Sequence, residues 1–264
     1  MHEPCYCPTQ VVSMLLEECS YPEVENYLHQ KDILLIPTGA VEQHSPYGLI
    51  GTDFMAAEAV ARGAGKQLSI LVAPTFNYGI SPHHMAFAGS ATLSPQTYIS
   101  ICCDLIRSFT SHGFRRLVFV NGHGGNSHAI QTAFQQAKME DTPGIFTMIP
   151  WYDATEVKRF NLRDFEGKEG RHATPSEISL TMHLAPHAFT TKMTEPEEYS
   201  PQTTYWPMTA KEMKTTYPDG RMDSAPWLAN QEAGKAILAA AVDALCKKLE
   251  KIMAIPLVDE SHEQ

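Results

Sequence analysis

The sequence predicts an α/β fold, a mostly parallel sheet with helices on both faces. Apolar runs of strand length alternate with amphipathic helical stretches through the middle of the chain, and polar loops bearing glycine and histidine follow two of those runs. Ile33-Leu34-Leu35-Ile36-Pro37 reads as a buried strand, Phe54 to Lys66 as a helix with alanine-rich faces, and Ile70 to Ala73 as a short strand. Another strand is expected ahead of His83. Ile101, Cys102, Leu105, Ile106 and Phe109 recur at helical spacing, which predicts a helix over 95–112. Arg116 to Asn121 is a strand, and Ala129, Ile130, Ala133, Phe134 and Ala137 mark the buried stripe of the helix after it. Ile145 to Ile149 is the next strand. Residues 151–170 are polar and irregular, and read as a loop or lid. Pro175 to Leu184 is helical, whereas Thr190 to Pro226 shows no clean period; so long an excursion serves binding or subunit contact. Leu228 to Met253 is a long amphipathic helix, and the last eight residues are expected to fray. No repeat or linker divides the chain, so residues 1–264 are read as a single domain.

With 264 residues, the chain is long enough to bury a full core. Its 43% hydrophobic and 19% charged residues are those of an ordinary soluble protein. A net charge of −10 without a basic cluster argues against nucleic acid or an anionic membrane as partner. No apolar stretch approaches the ~20 residues of a membrane span, and no secretory signal is expected. The six cysteines include no C-x-x-C pair, which fits a reduced, cytoplasmic setting. Cys5, Cys7 and Cys19 match no standard thiolate metal site and are expected to be free thiols.

The chemistry concentrates in the loop after the first strand, Thr38-Gly39-Ala40-Val41-Glu42-Gln43-His44, with Asp53 downstream. Glu42 and His44 are two apart, so in extended backbone their side chains leave on the same side. They stand at the C-terminal edge of a strand, where open α/β sheets bind ligands. Oxygen and imidazole donors together suit a divalent metal, although Glu42 and His44 also fit a polar surface turn. Asp53 can cap the helix that follows it, bind metal, or bridge two metals. His123, in Asn121-Gly122-His123-Gly124-Gly125-Asn126, shares that sheet edge and is read as a ligand; neither phosphate-loop pattern is present there. Thr174-Pro175-Ser176-Glu177 matches a capping box, so Glu177 can be a cap or a ligand. His172 can be a surface histidine or a proton shuttle beside a metal. His83 and His84 read as pocket-wall or substrate contacts, together with Trp151 and Tyr152. His112, His128, His183 and His187 fit ordinary helix surfaces and ends.

These motifs resemble those of the creatininase (creatinine amidohydrolase) family: Glu42-Gln43-His44 with Asp53, Tyr78-Gly79-Ile80-Ser81, Asn121 to Asn126, and His172-Ala173 followed by Glu177. Their order and spacing make the likeness specific. It implies a three-layer α/β/α sandwich with two divalent metal ions per chain (zinc, manganese or iron) that hydrolyses C–N bonds in small amides or cyclic amides, often as a hexamer. Residue by residue, the resemblance implies that Glu42 and His123 bind one metal and His44 and Glu177 the other, with Asp53 bridging. A metal-activated water attacks the amide carbon, and His172 delivers a proton to the leaving nitrogen. Creatininase proper carries a carboxylate two residues after the histidine matching His123, where this chain has Gly125; Glu177 is the remaining carboxylate. The tryptophan expected shortly before His172 is absent from Gly167-Lys168-Glu169-Gly170-Arg171. Ser45, Tyr47 and Leu49 replace the usual Gly, His and Pro.

The sequence therefore predicts a cytoplasmic, homo-oligomeric, metal-dependent amidohydrolase of a small polar amide, cyclic amide or formamide. Deformylation of a pyrimidine intermediate and creatininase-like ring opening compete within that reading, and Lys168 and Arg171 favour an anionic substrate. The alternatives are a peptide-processing branch of the family and a non-catalytic metal-binding or assembly protein. The retention of all the candidate ligands and of His172 argues against the latter.

Overall fold

A computed structural model describes residues 13–190, 192–195 and 205–257. Four strands, β1 (Ile33–Thr38), β2 (Leu71–Val72), β3 (Arg116–Asn121) and β4 (Ile145–Pro150), form one parallel sheet in the order β2-β1-β3-β4. β1 and β3 run in register from Ile33↔Arg116 to Thr38↔Asn121, so the loops leaving them emerge side by side.

Alternation along the strands builds two cores. Ile33, Leu35, Val118 and Val120 face one way, onto α2 (Thr52–Leu68), α5 (Thr155–Asp164) and α8 (Gln231–Met253). Leu34, Ile36, Leu117 and Phe119 face the other, onto α1 (Tyr21–Leu28), α3 (Pro95–Ser111) and α4 (Ser127–Met139). Burial on both faces is why these strands are continuous apolar runs. The result is the expected α/β/α sandwich. α6 (Pro175–Leu184) lies against α2 and α8, and α7 (Ala210–Thr216) packs by the turn at Pro82–His84.

Several expectations change. Residues 151–170 are not a loop. After a single turn at Trp151–Asp153 they form α5, which buries Val157 and Phe160 against α8; an apolar pair among charged residues is too thin a stripe to stand out. α1 was hidden likewise, although Ser20 and Glu23 form a reciprocal capping box with Pro22 in the first turn. No full strand precedes His83; Phe76 makes a lone bridge to Thr38. Thr190–Pro226 contains α7, with 191 and 196–204 outside the described residues. The C-terminal helix begins at Gln231, capped by Asn230, with Leu228 in the turn before it. Cys5, Cys7 and the last residues, 258–264, also lie outside the described residues, and Cys19 is a half-buried free thiol. Among the described residues, no helix is long and apolar enough to cross a membrane.

Candidate metal centre

The loop after β1 turns inward instead of lying on the surface. Its backbone is tied down by Glu42 N–H to the Ile50 carbonyl and by Ala91 N–H to the Val41 carbonyl. Glu42 and His44 are each 1% exposed, which removes the surface-turn reading. Ser45 follows with φ 60°, left-handed backbone that glycine adopts more readily, at the position where the family usually has glycine. Its N–H bonds the Gln43 side-chain oxygen at 2.8 Å.

Asp53 is not a helix cap. α2 starts one residue earlier, at Thr52, with Gly51 in the capping position, so the Asp53 carboxylate is free to face the centre. His44 Nε2 lies 3.1 Å from Asp53 Oδ1 and 3.9 Å from Glu177 Oε1. His123 Nδ1 lies 3.0 Å from Asp53 Oδ2 and 3.4 Å from Glu42 Oε1. In both imidazoles the remote nitrogen is engaged elsewhere: His44 Nδ1 donates to the Glu42 carbonyl at 3.1 Å, and His123 Nε2 to the Ile80 carbonyl at 3.0 Å. Such outer bonds leave the inward nitrogen as the lone pair a metal needs. Glu177 is a cap, and its position keeps the ligand reading open: Oε1 accepts from Thr174 N–H at 2.5 Å, completing the capping box, while facing His44. His172, buried and not on the surface, sets Nδ1 3.5 Å from Glu42 Oε1.

The electrostatics describe a cluster short of positive charge. Every ion pair of Glu42, Asp53 and Glu177 among the described residues is with a histidine. Burial pushes the Glu42 and Glu177 carboxyls up to about 7. Burial opposes charge on His44 and His123 too, yet Asp53 lifts His44 to about 10, and Glu42 with Asp53 lifts His123 to about 9. Asp53 is held below the usual carboxylate range, against its burial, by His44 and His123. Protons on imidazoles thus serve as the counter-charge. Among the described residues, Glu42 Oε2 is buried without a hydrogen-bond partner, and Asp53 Oδ2 has only the off-axis His123 contact. Unpaired buried carboxylate oxygens are costly, and the donor set fits divalent cations. The ligand atoms of Glu42, Asp53 and His123 lie within 4.8 Å of one another, as do those of His44, Asp53 and Glu177, and of Glu42, His44 and His172.

Around this cluster, His84 stacks on His172 with ring centroids 4.3 Å apart, and His83 packs on His84 at 4.1 Å. Burial holds the imidazoles of His84 and His172 well below their ordinary value, helped by neighbouring histidines, and brings His83 down to about 4. Trp151 departs from the expected pocket wall. It is 3% exposed and packed in the apolar core beside Val60, Val120 and Leu245. Tyr152 stays near the centre; its hydroxyl bonds Ser127, and burial, with Asp153, Asp53 and Glu177 contributing, raises it well above the ordinary phenol range in a half-buried position. His112, His128 and His187 are exposed and His183 half-buried, as expected. Lys168 and Arg171 are also exposed, paired with Glu166 and Asp223.

Three residues near the site escaped the sequence reading. Trp206 meets the His83 ring edge-on at 4.6 Å. Glu169 receives the Ser176 hydroxyl, and burial raises its carboxyl behind Glu177. The Gln43 amide bonds His84 Nδ1 at 2.9 Å and the Gly220 carbonyl at 3.0 Å. Only the place of Gln43 between two candidate ligands hinted at it.

The creatininase family model, described as creatinine amidohydrolase, matches residues 17–249. The chain belongs to the creatininase family. Relatives include a 3-dehydro-scyllo-inosose hydrolase of Thermotoga maritima, 28% identical over 68% of this chain; the match spans only 60% of that enzyme's length. A mycofactocin precursor peptide peptidase of Mycobacterium tuberculosis is 28% identical over 84% of this chain and 86% of its own. Creatinine amidohydrolase of Pseudomonas putida is 26% identical over 66% and 73%. A crystal structure of creatinine amidohydrolase superposes with a TM-score of 0.80 at 24% identity, covering 93% of this chain and all of the other, and shows the shared fold. A mutant creatininase of Zn-Zn type and a Mn creatininase superpose at 0.78 and 0.77, each at 24% identity over 92% of this chain and 99% and 100% of theirs. As a creatininase-family hydrolase, this chain departs from creatininase proper at Gly125. There a Cβ would fall on His123 Nε2 and the Ile80 carbonyl oxygen, so this arrangement of His123 requires glycine.

Proposed function

We propose that this protein is a binuclear metal-dependent amidohydrolase of a small amide, cyclic amide or formamide. The observation that carries the reading is the pair of donor triads sharing Asp53, Glu42-Asp53-His123 and His44-Asp53-Glu177. Glu42 and His123 would hold one divalent ion, His44 and Glu177 the other, and Asp53 would bridge. Bound there, divalent cations supply Lewis acidity, lowering the pKa of water and stabilising charge that develops on an amide oxygen. His172 carries the proton. Its Nε2 donates to the Gln43 carbonyl at 2.6 Å, which leaves Nδ1 free to take up a proton at the centre and pass it to the leaving nitrogen. His83, His84 and Tyr152 would flank the pair of ions. The named relatives act on creatinine, a dehydro-inosose and a peptide precursor, so the family leaves the substrate open.

Metal-stripped protein reconstituted with zinc or manganese tests the reading. Two ions per chain are expected, together with turnover on a panel of small amides, lactams and formamides. Less than one ion per chain removes the binuclear model. Full loading without turnover favours the non-catalytic alternative.

A further inference from the structure

Gln43 sits between two of the proposed metal ligands, and its amide is held by groups whose hydrogen-bonding roles are fixed. The Ser45 backbone N–H can only donate, and it reaches Gln43 Oε1 at 2.8 Å. The Gly220 carbonyl can only accept, and it receives Gln43 Nε2 at 3.0 Å. These two backbone groups set which end of the amide is nitrogen. Its second proton then points at His84 Nδ1, 2.9 Å away, so Nδ1 must accept and the ring proton sits on Nε2. That Nε2 is 3.5 Å from Glu42 Oε1. His172 is fixed by the backbone of the same residue: its Nε2 donates to the Gln43 carbonyl at 2.6 Å, so its Nδ1 is the unprotonated nitrogen. That Nδ1 also lies 3.5 Å from Glu42 Oε1.

Both rings are therefore the same tautomer, turned end for end. They stack with 30° between their planes, and one offers an N–H where the other offers a lone pair. We propose that Gln43 is a positioning residue that sets this polarity, its side chain making His84 a donor and its carbonyl making His172 an acceptor beside the same carboxylate oxygen. Gly220 completes the device from 177 residues away. It has φ +78°, and a Cβ there would lie 2.6 Å from Gln43 Nε2, so a side chain would displace the amide. The inference rests on the hydrolytic reading only for what the pair meets, an amide's C=O and N–H side by side.

The polarity is read directly by long-range proton–nitrogen correlation spectra of ¹⁵N-histidine-labelled, metal-free protein at about pH 8, above the ordinary histidine pKa. His84→Ala and His172→Ala assign the signals. In the unaltered chain both rings are expected to show an unprotonated Nδ1 and a protonated Nε2. Gln43→Glu keeps the shape and the Ser45 bond but turns an acceptor toward His84. Its Nδ1 is then expected to become the protonated nitrogen, while His172, held by backbone, keeps its pattern. A His84 Nδ1 protonated in the unaltered chain, or a His84 pattern indifferent to Gln43→Glu, overturns the proposal. If that variant does not fold, Gly220→Ala substitutes for it: His84 is expected to become a mixture of tautomers, and an unchanged pattern overturns the proposal equally. The readout needs neither metal nor substrate, so failure of the amidohydrolase reading leaves its result intact.

Discussion

Glu177→Gln separates the capping role of one carboxylate from the metal-ligand role proposed for it. As a cap, Glu177 accepts from Thr174 N–H at 2.5 Å and donates its own N–H to Thr174 Oγ1 at 3.2 Å. Glutamine keeps the length and an acceptor oxygen, so the loss is a fraction of a capping interaction, under about 1 kcal/mol. Burial pushes the glutamate's carboxyl up to about 7, so above neutrality the metal-free chain also sheds an unfavourable buried anion. The two effects oppose, and the melting temperature of the metal-free variant should stay within about 4 °C of the parent. Metal binding should respond differently. His44 and Asp53 alone remain for the second ion, and because outer-shell partners are worth about 10–100-fold in affinity, loss of a direct anionic ligand should cost more than about 100-fold. The Glu42-Asp53-His123 triad is untouched. Elemental analysis after chelator competition should therefore fall from two zinc ions per chain to one, with thermal melts nearly superimposable. Two ions retained at unchanged affinity would reduce Glu177 to a cap and refute the ligand assignment.

Removing metal should also expose a pH dependence of stability. Glu42 and Glu177 are raised to about 7, His123 to about 9 and His44 to about 10, so each binds its proton more tightly folded than unfolded. Their stabilisation is complete at acid pH and is lost as pH rises through 7 and on to 10, on the order of several kcal/mol; lowered His83, His84 and His172 act oppositely as pH falls below about 6.5, and lowered Asp53 does so in more acidic solution still. Urea midpoints of metal-free protein should fall from about pH 6 to about pH 9, and zinc should offset the fall; a rising midpoint counts against the charge-starved cluster. His172→Ala should retain both ions yet lose about 10²–10⁴-fold in kcat, and unchanged turnover removes His172 from the proton path. Primary amides and lactams, which carry C=O and N–H on one edge, should be preferred over open-chain trans amides; equal kcat/KM for the two classes would show that the His84–His172 polarity does not select substrate.

Sequence was informative where burial or capping leaves a local pattern. β3 is found at Arg116–Asn121 and α6 at Pro175–Leu184, their predicted limits, because a fully buried run and a Thr-Pro-x-Glu box mark their own ends. The candidate ligands were visible because Glu42, His44 and His123 stand in loops directly after β1 and β3, strands in mutual register. What was missed is non-local. Trp151, expected at a pocket wall, packs back into the core between α2 and α8. The Gln43 bond to Gly220 spans 177 residues and has no spacing rule to betray it. α5 is held by tertiary packing, with only Val157 and Phe160 buried along it.

Gly125 and Glu177 are two sides of one choice. In this chain His123 turns Nε2 to the Ile80 carbonyl and Nδ1 to the centre, and the space a Cβ at 125 would need is taken by that ring nitrogen and that carbonyl. A carboxylate at 125, as in creatininase proper, would have to displace the His123 ring or the Ile80 carbonyl. In the proposed ligand set, the acid on the His44 side would then come from elsewhere. The first turn of α6 offers it, because capping its own helix already aims the Glu177 carboxylate back past Thr174 and toward His44. Cap and proposed ligand are thus compatible roles here: the cap's geometry places the Glu177 carboxylate where the second ion would be held.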